Sequence, residues 1–192
     1  MTSGPGTHRT RIGSLEVDLP LVRVNDQLTI ALLMTIDHGV SFIETAGGEL
    51  AEALRDLRPE VVVSAATLGI PVALEVSRGL GLDDYVILQK TQKVHLGDAL
   101  AEPVDSVTTD AAQTLLLDRA RVDAVRGRRA VFVDDVLSTG SSAAASLRLL
   151  RRAGAAVVGA GFLLEEGDTG RAALAEYTDV VRSLGTIPVF TS

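Results

Sequence analysis

Arg129-Ala-Val-Phe-Val-Asp-Asp-Val-Leu-Ser-Thr-Gly-Ser-Ser142 decides how this chain folds. Its first part, Ala130 to Val133, is apolar and rich in β-branched residues, which predicts a strand buried in a parallel sheet. Asp134 and Asp135 stand where that strand should end. Small residues follow from Ser138 to Ser142, then a helical pattern with Leu147, Leu149 and Leu150 on its apolar side. Gly154 suits the position just past that helix.

Each part of the stretch has a chemical use. A helix that starts after a small-residue loop offers free backbone N–H groups and the positive end of its dipole. Thr139, Ser141 and Ser142 add hydroxyls, and Gly140 leaves room for a phosphate to approach the backbone. Asp134 and Asp135 can accept hydrogen bonds from vicinal ribose hydroxyls, or hold Mg²⁺ through water. The loop would grip a phosphate and the acids the attached sugar. On composition alone, a helix cap beside a solvated turn explains the same residues.

Val131 to Ser142 resembles the phosphoribosyl-pyrophosphate (PRPP) signature of the type I phosphoribosyltransferases: a hydrophobic strand, two acids, two apolar residues, then a small-Thr-Gly-small-Ser loop. The resemblance implies an α/β fold of that type, with a mainly parallel central sheet flanked by helices and a small N-terminal hood subdomain. The expected division is a tail and hood over residues 1–45 and a PRPP-binding core over 46–192.

The composition is compatible with this. A chain of 192 residues can bury one good core, built here from Ala, Leu and Val because aromatics are scarce. The net charge of −7 and the lack of a basic cluster argue against nucleic acid as a partner. Without cysteine there is no disulfide, thiolate metal site or thiol nucleophile. His8, His38 and His95 lack metal-ligand spacing. No apolar run reaches the length of a membrane span, and the first residues lack a signal-peptide core, so a soluble cytoplasmic protein is expected.

Along the chain, residues 1–10 read as a loose tail and the region up to Val24 as short strands. Leu28 to Ile36 reads as a helix, and Glu49 to Leu57 as another. Val61–Val63 and Tyr85–Leu88 read as core strands, with a helix from Ile70 to Leu80 between them. Residues 94–110 are polar and contain Gly97 and Pro103, which suggests a long excursion, a β-ribbon or mobile lid, returning at Gln113 to Leu117. After the signature come a strand over Ala156–Leu164, a short helix over residues 169–176 and a last strand over Val180–Leu184. Alternating strands and helices predict a parallel sheet with right-handed crossovers.

Ligands of such sheets sit beyond the carboxyl ends of the strands. Two further strand ends carry suitable groups. Ala66-Thr-Leu-Gly69 is a small-residue turn opening a helix, and Lys90 with Lys93 can face a pyrophosphate. The resemblance runs from about residue 59 to 187. Val61 to Ile70 is similar to the strand and pyrophosphate loop of xanthine and adenine phosphoribosyltransferases, where a non-proline cis peptide is frequent. Lys90-Thr-Gln-Lys93 resembles the Lys-x-x-Lys stretch before the lid. Ala153 to Glu165 resembles the strand that ends beside the base, and Gly170-Arg-Ala-Ala-Leu174 the Gly-Arg-x-x-Leu that follows it.

The chain also departs from the family pattern. Ala66 replaces a usual charged residue. Ser138 stands where hypoxanthine-guanine enzymes carry Asp, and Glu166 where the xanthine enzyme carries Lys. A carboxylate at 166 would repel anionic xanthine and accept from an amino group, as on adenine.

The resemblance thus implies Mg²⁺-dependent transfer of phosphoribose from PRPP to a purine, with adenine favoured, by a salvage enzyme acting as a homodimer. Asp134, Asp135 and Lys90 would be catalytic, with Asp134 and Asp135 also meeting the metal. Ala66, Thr67, Leu68, Gly69, Lys90, Lys93, Asp134, Asp135, Ser138, Thr139, Gly140, Ser141 and Ser142 would bind PRPP. Ile36, Asp37, Leu164 and Glu166 would frame the base. The alternatives are xanthine, guanine, hypoxanthine or a non-purine acceptor, or a PRPP-binding regulator without turnover.

Overall fold

The apolar run becomes the centre of a parallel sheet in the computed structural model, which describes residues 6–92, 94, 98–105 and 113–191. With elements numbered in chain order, the sheet runs β10 (Val181–Ser183), β9 (Ala156–Glu166), β8 (Arg129–Leu137), β4 (Val61–Ala65), β5 (Tyr85–Leu88). All these neighbours pair in parallel. A short strand, β11 (Thr186–Ile187), also joins β9.

Both faces are covered, which is why the strands are apolar without interruption. Along β8, Ala130 and Phe132 belong to one core while Val131 and Val133 belong to the other. Phe132 and Phe162 meet at a ring separation of 6.3 Å, and Leu147, Leu149 and Leu150 of α3 (Ser141–Arg152) pack into that core. The opposite face takes Leu50 and Leu54 of α1 (Val40–Leu54) and Val72 and Val76 of α2 (Gly69–Leu80). A helix crossover follows β4 and β8, as parallel strands require.

A second sheet has the order β1 (Thr7–Ile12), β2 (Leu15–Arg23), β3 (Leu28–Ala31), β12 (Phe190–Thr191), every pair antiparallel. An antiparallel ribbon of β6 (Leu100–Val104) and β7 (Gln113–Leu117) makes up the described part of the excursion. The rest of it, including residues 95–97 and 106–110, lies outside the described residues.

Several boundaries differ from the sequence reading. Residues 7–10 are not a tail but the first four residues of β1, where Arg9 donates to both oxygens of Asp18 on β2, at 2.9 and 3.0 Å. Leu28 to Ile36 is not a helix. Its first four residues form β3, whose backbone is satisfied by ladders on both sides, and β-branched Thr29 and Ile30 favour that form. A 3-10 turn, Thr35–Asp37, follows. The helix expected from Glu49 starts at Val40, because Gly47 and Gly48 hid its first turns. It ends at Leu54, with a 3-10 turn over Arg55–Leu57. The helix after β9, here α4 (Thr169–Ala173), tightens into a 3-10 turn over Ala175–Val180. The strand at residues 181–183 is followed by two more, β11 and β12.

Helices α1 and α2 approach at glycines. A Cβ at Gly47 would overlap Cβ of Glu75, and one at Gly79 would lie 2.6 Å from Cβ of Ala51. Gly48 has open space around its Cβ position. Gly47→Val should therefore cost about 1–3 kcal/mol by forcing the helices apart. Gly48→Ala should gain up to about 1 kcal/mol from helix propensity. Urea unfolding of both variants measures the contrast.

Candidate active site

Strand β8 outruns one neighbour. Its ladder with β4 ends at Phe132, whereas its ladder with β9 continues through Asp134, Val136 and Leu137. The acids stand where the strand was expected to end, but the strand runs on through them to Leu137, supported there from one side only. The Ala66–Gly69 turn occupies the space beside them. Gly69 comes so close that a Cβ there would overlap both Ser64 Oγ and Asp134 Oδ1. The Ala66–Thr67 peptide bond is cis. The Asp135 amide donates to Asp134 Oδ1 at 3.1 Å.

This environment is unfavourable for two negative charges. Burial pushes the Asp134 carboxyl well above the usual range, and the charge of Asp135 pushes it further. Asp135 is also raised, again by burial first. The Lys90 ammonium opposes both shifts, which puts it within electrostatic reach of the pair. Lys90 itself is exposed just beyond β5. Its neighbour Gln89 exchanges backbone hydrogen bonds with Leu116 of β7, at 2.9 and 2.8 Å, so the ribbon is tied to this strand end. Lys93 lies outside the described residues.

After β8 the chain turns through Ser138 and Thr139 into α3. Gly140 sits at the N-cap with φ of 80°, a conformation that favours glycine, and no side chain caps the helix. Its first-turn amides therefore remain available to an anion. The Ser141 amide leans on Thr139 Oγ1 at 3.4 Å, and Thr139 Oγ1 lies 3.3 Å from Ser141 Oγ. A polar hollow of about 100 Å³ opens between Asp134, Ser138, Thr139, Gly140 and Ser142. A larger groove of about 410 Å³ lies along α3 beside Tyr177, but it shares no lining residue with this loop. Its Arg148 and Arg151 are already paired with Glu102 and Glu176.

The residues expected around a base separate into two groups. Ile36 and Asp37 are exposed on the 3-10 turn, which is tethered to the Ala66–Gly69 turn by Thr35 Oγ1 donating to the Leu68 carbonyl at 2.8 Å. Leu164 is fully enclosed in the core and presents no surface. Glu166, next on the same strand but one, is only 8% exposed. Its Oε2 accepts from Ser138 Oγ at 2.5 Å, and its buried Oε1 has no hydrogen-bond partner among the described residues.

Three contributors were not read from the sequence. Ser64 is a fully buried hydroxyl without a hydrogen-bond partner among the described residues, beside Gly69 and Asp134. One polar residue inside Val61-Val-Val-Ser-Ala65 was a usable signal. Thr35 gave none, since its partner is a backbone carbonyl distant in sequence. Glu165 accepts from Arg171 through both carboxylate oxygens, Oε2 from Nε at 3.0 Å and Oε1 from Nη2. Burial raises the Glu165 carboxyl, but hydrogen bonds from Arg171 and Ser183 outweigh it and hold the group below its usual range.

The chain belongs to the phosphoribosyl transferase domain family, whose model matches residues 40–191. The adenine phosphoribosyltransferase of Gluconacetobacter diazotrophicus is 34% identical over 134 residues, covering 69% of this chain and 72% of that protein. The xanthine phosphoribosyltransferase of Laribacter hongkongensis is 28% identical over 153 residues, covering 79% and 80%. The crystal structure of adenine phosphoribosyltransferase from Rhodothermus marinus has the same fold, with a TM-score of 0.69, 22% identity and coverage of 95% of this chain and 94% of that one.

Because the Asp134 carboxyl is raised in the folded state, its ionisation should destabilise the ligand-free protein. The stability it contributes is complete below the unfolded value of about 3.9 and is lost as pH rises through the folded value. Asp134→Asn should therefore melt higher than the parent at pH 8 in the presence of chelator. The advantage should shrink as pH falls towards about 4. Melting curves across this range give the difference directly.

Proposed function

We propose that this protein transfers the 5-phosphoribosyl group of PRPP to a purine base, with adenine favoured, and releases pyrophosphate. The observation that carries the reading is the meeting of an uncapped helix start and two buried carboxyls around one polar hollow. In this reading Ser138 to Ser142 hold the 5′-phosphate with backbone amides and hydroxyls. Asp134 and Asp135 accept from the ribose diol. Lys90 and the Ala66–Gly69 turn face the pyrophosphate. Little covalent chemistry falls to the chain: it aligns the two substrates and stabilises the leaving group.

Asp134 and Asp135 are suited to Mg²⁺. The ion prefers hard oxygen ligands, takes one or two carboxylates and otherwise keeps water and substrate oxygens. Two adjacent acids whose burial disfavours charge match that demand. No cluster of three metal-binding side chains exists among the described residues, consistent with an ion held largely by substrate. When bound, Mg²⁺ would neutralise charge on the pyrophosphate.

The preference for adenine rests on Glu166. An unpartnered buried carboxylate oxygen asks for an N–H donor, which the exocyclic amine of adenine supplies. We read the sheet of β1, β2, β3 and β12 as the hood, and the protein as a cytoplasmic homodimer of the salvage type. Among the described residues no helix is long and apolar enough to cross a membrane.

Incubation with PRPP, Mg²⁺ and each of adenine, hypoxanthine, guanine and xanthine tests the assignment. Adenine should be consumed fastest, and failure of all four removes the purine reading. Asp134→Asn with Asp135→Asn should lower kcat/KM for PRPP on the order of 10²- to 10³-fold. Glu166→Lys should lower kcat/KM for adenine by about tenfold or more, the worth of one buried polar contact, and improve xanthine. Initial rates with the two bases report the change.

A further inference from the structure

Helix α4 lies directly on the phosphate loop, with glycine on each side of the contact. A Cβ at Gly170 would stand 2.5 Å from the Ser138 carbonyl oxygen and 2.6 Å from Leu137 Cγ. From the other side, a Cβ at Gly140 would stand 2.7 Å from Ala173 Cβ and 2.8 Å from the Gly170 carbonyl oxygen. Such contact between backbones is possible only with glycine at both places.

Two residues anchor α4 in this position. Arg171 makes a forked pair with Glu165 at the end of β9, a geometry that fixes orientation as well as distance. Leu174, just past the helix, is 2% exposed in the core that also holds α3. Glu165 and Glu166 are sequence neighbours with separate tasks. The first holds α4 through Arg171, and the second holds the loop through the Ser138 hydroxyl. The loop is thus fixed both by a hydroxyl and by the helix lying on its backbone.

We infer that Gly170 and Arg171 are positioning residues for the phosphate loop, keeping α4 seated on Ser138 to Gly140 so that the amides at the start of α3 stay aimed at the phosphate. Neither needs to touch substrate. The consequence for PRPP rests on the functional reading above, whereas the bracing of the loop does not.

The test compares Gly170→Ala, Arg171→Lys and, as a control on the exposed side of α4, Ala172→Gln. The lysine keeps a cation near Glu165 but loses the fork. Hydrogen exchange of the free protein should show faster exchange in residues 138–144 for the first two variants, beyond what any fall in melting temperature produces in the rest of the chain. In turnover, KM for PRPP should rise on the order of tenfold, since a misplacement of about 1 Å is costly at such a site, while KM for the base stays within about twofold. A merely destabilising change would not separate the two substrates. Exchange and KM equal to the parent in both variants would overturn the inference. Faster loop exchange in the two variants, with a parent protein that turns over no PRPP, would support the brace and sink the functional reading instead.

Discussion

The constraint from which the rest follows is a pair of adjacent carboxyls held where charge is unwelcome. Asp134 and Asp135 lie beyond the last rung between β8 and β4, with the Ala66–Gly69 turn packed against them. In water the two would ionise at ordinary pH and gain nothing from each other. Here burial and mutual repulsion favour a proton or a cation, and Lys90 supplies only a partial answer. The site is therefore short of positive charge, a state that the metal-bearing substrate of the proposed reaction would relieve. Its instability without ligand and its affinity with ligand would have the same cause.

The surroundings keep that pair in place by close backbone approach rather than by large side chains. Gly69 lies against Asp134, Gly140 against α4, and Gly170 against Ser138. Aromatic residues are few, and of the two phenylalanines of the parallel sheet, which meet at a tilt, only Phe162 reaches the wall of the hollow. Precision at the carboxyl edge thus depends on helices being able to sit directly on loops, which small residues allow and large ones prevent.

The parallel sheet was legible because its strands are buried on both faces and carry unbroken apolar runs, from Val61 to Val63 and from Ala130 to Val133. The turn that opens α3 was legible because its small residues, Ser138 to Ser142, are contiguous. What escaped were features set by distant segments. Leu28 to Ala31 has a composition that suits helix or strand, and β2 and β12 on either side decide the matter. Thr7 to Thr10 looks like solvated tail until β2 supplies a partner. The burial of Leu164 and the bond between Glu166 and Ser138 depend on register across sheets, which spacing along one strand does not reveal.

The sheet of β1, β2, β3 and β12 also bears on how the molecule assembles. Thr29 faces Phe190 across its outer ladder, so two segments near opposite extremes of the numbering must find each other to finish it. Loop closure of that span is slow compared with the local β1–β2 hairpin. During synthesis, β3 would wait with one edge unpaired, and an unpaired edge is a template for association with another copy. Chaperone dependence and aggregation of nascent chains are thus expected to concentrate at β3 rather than at the catalytic edge.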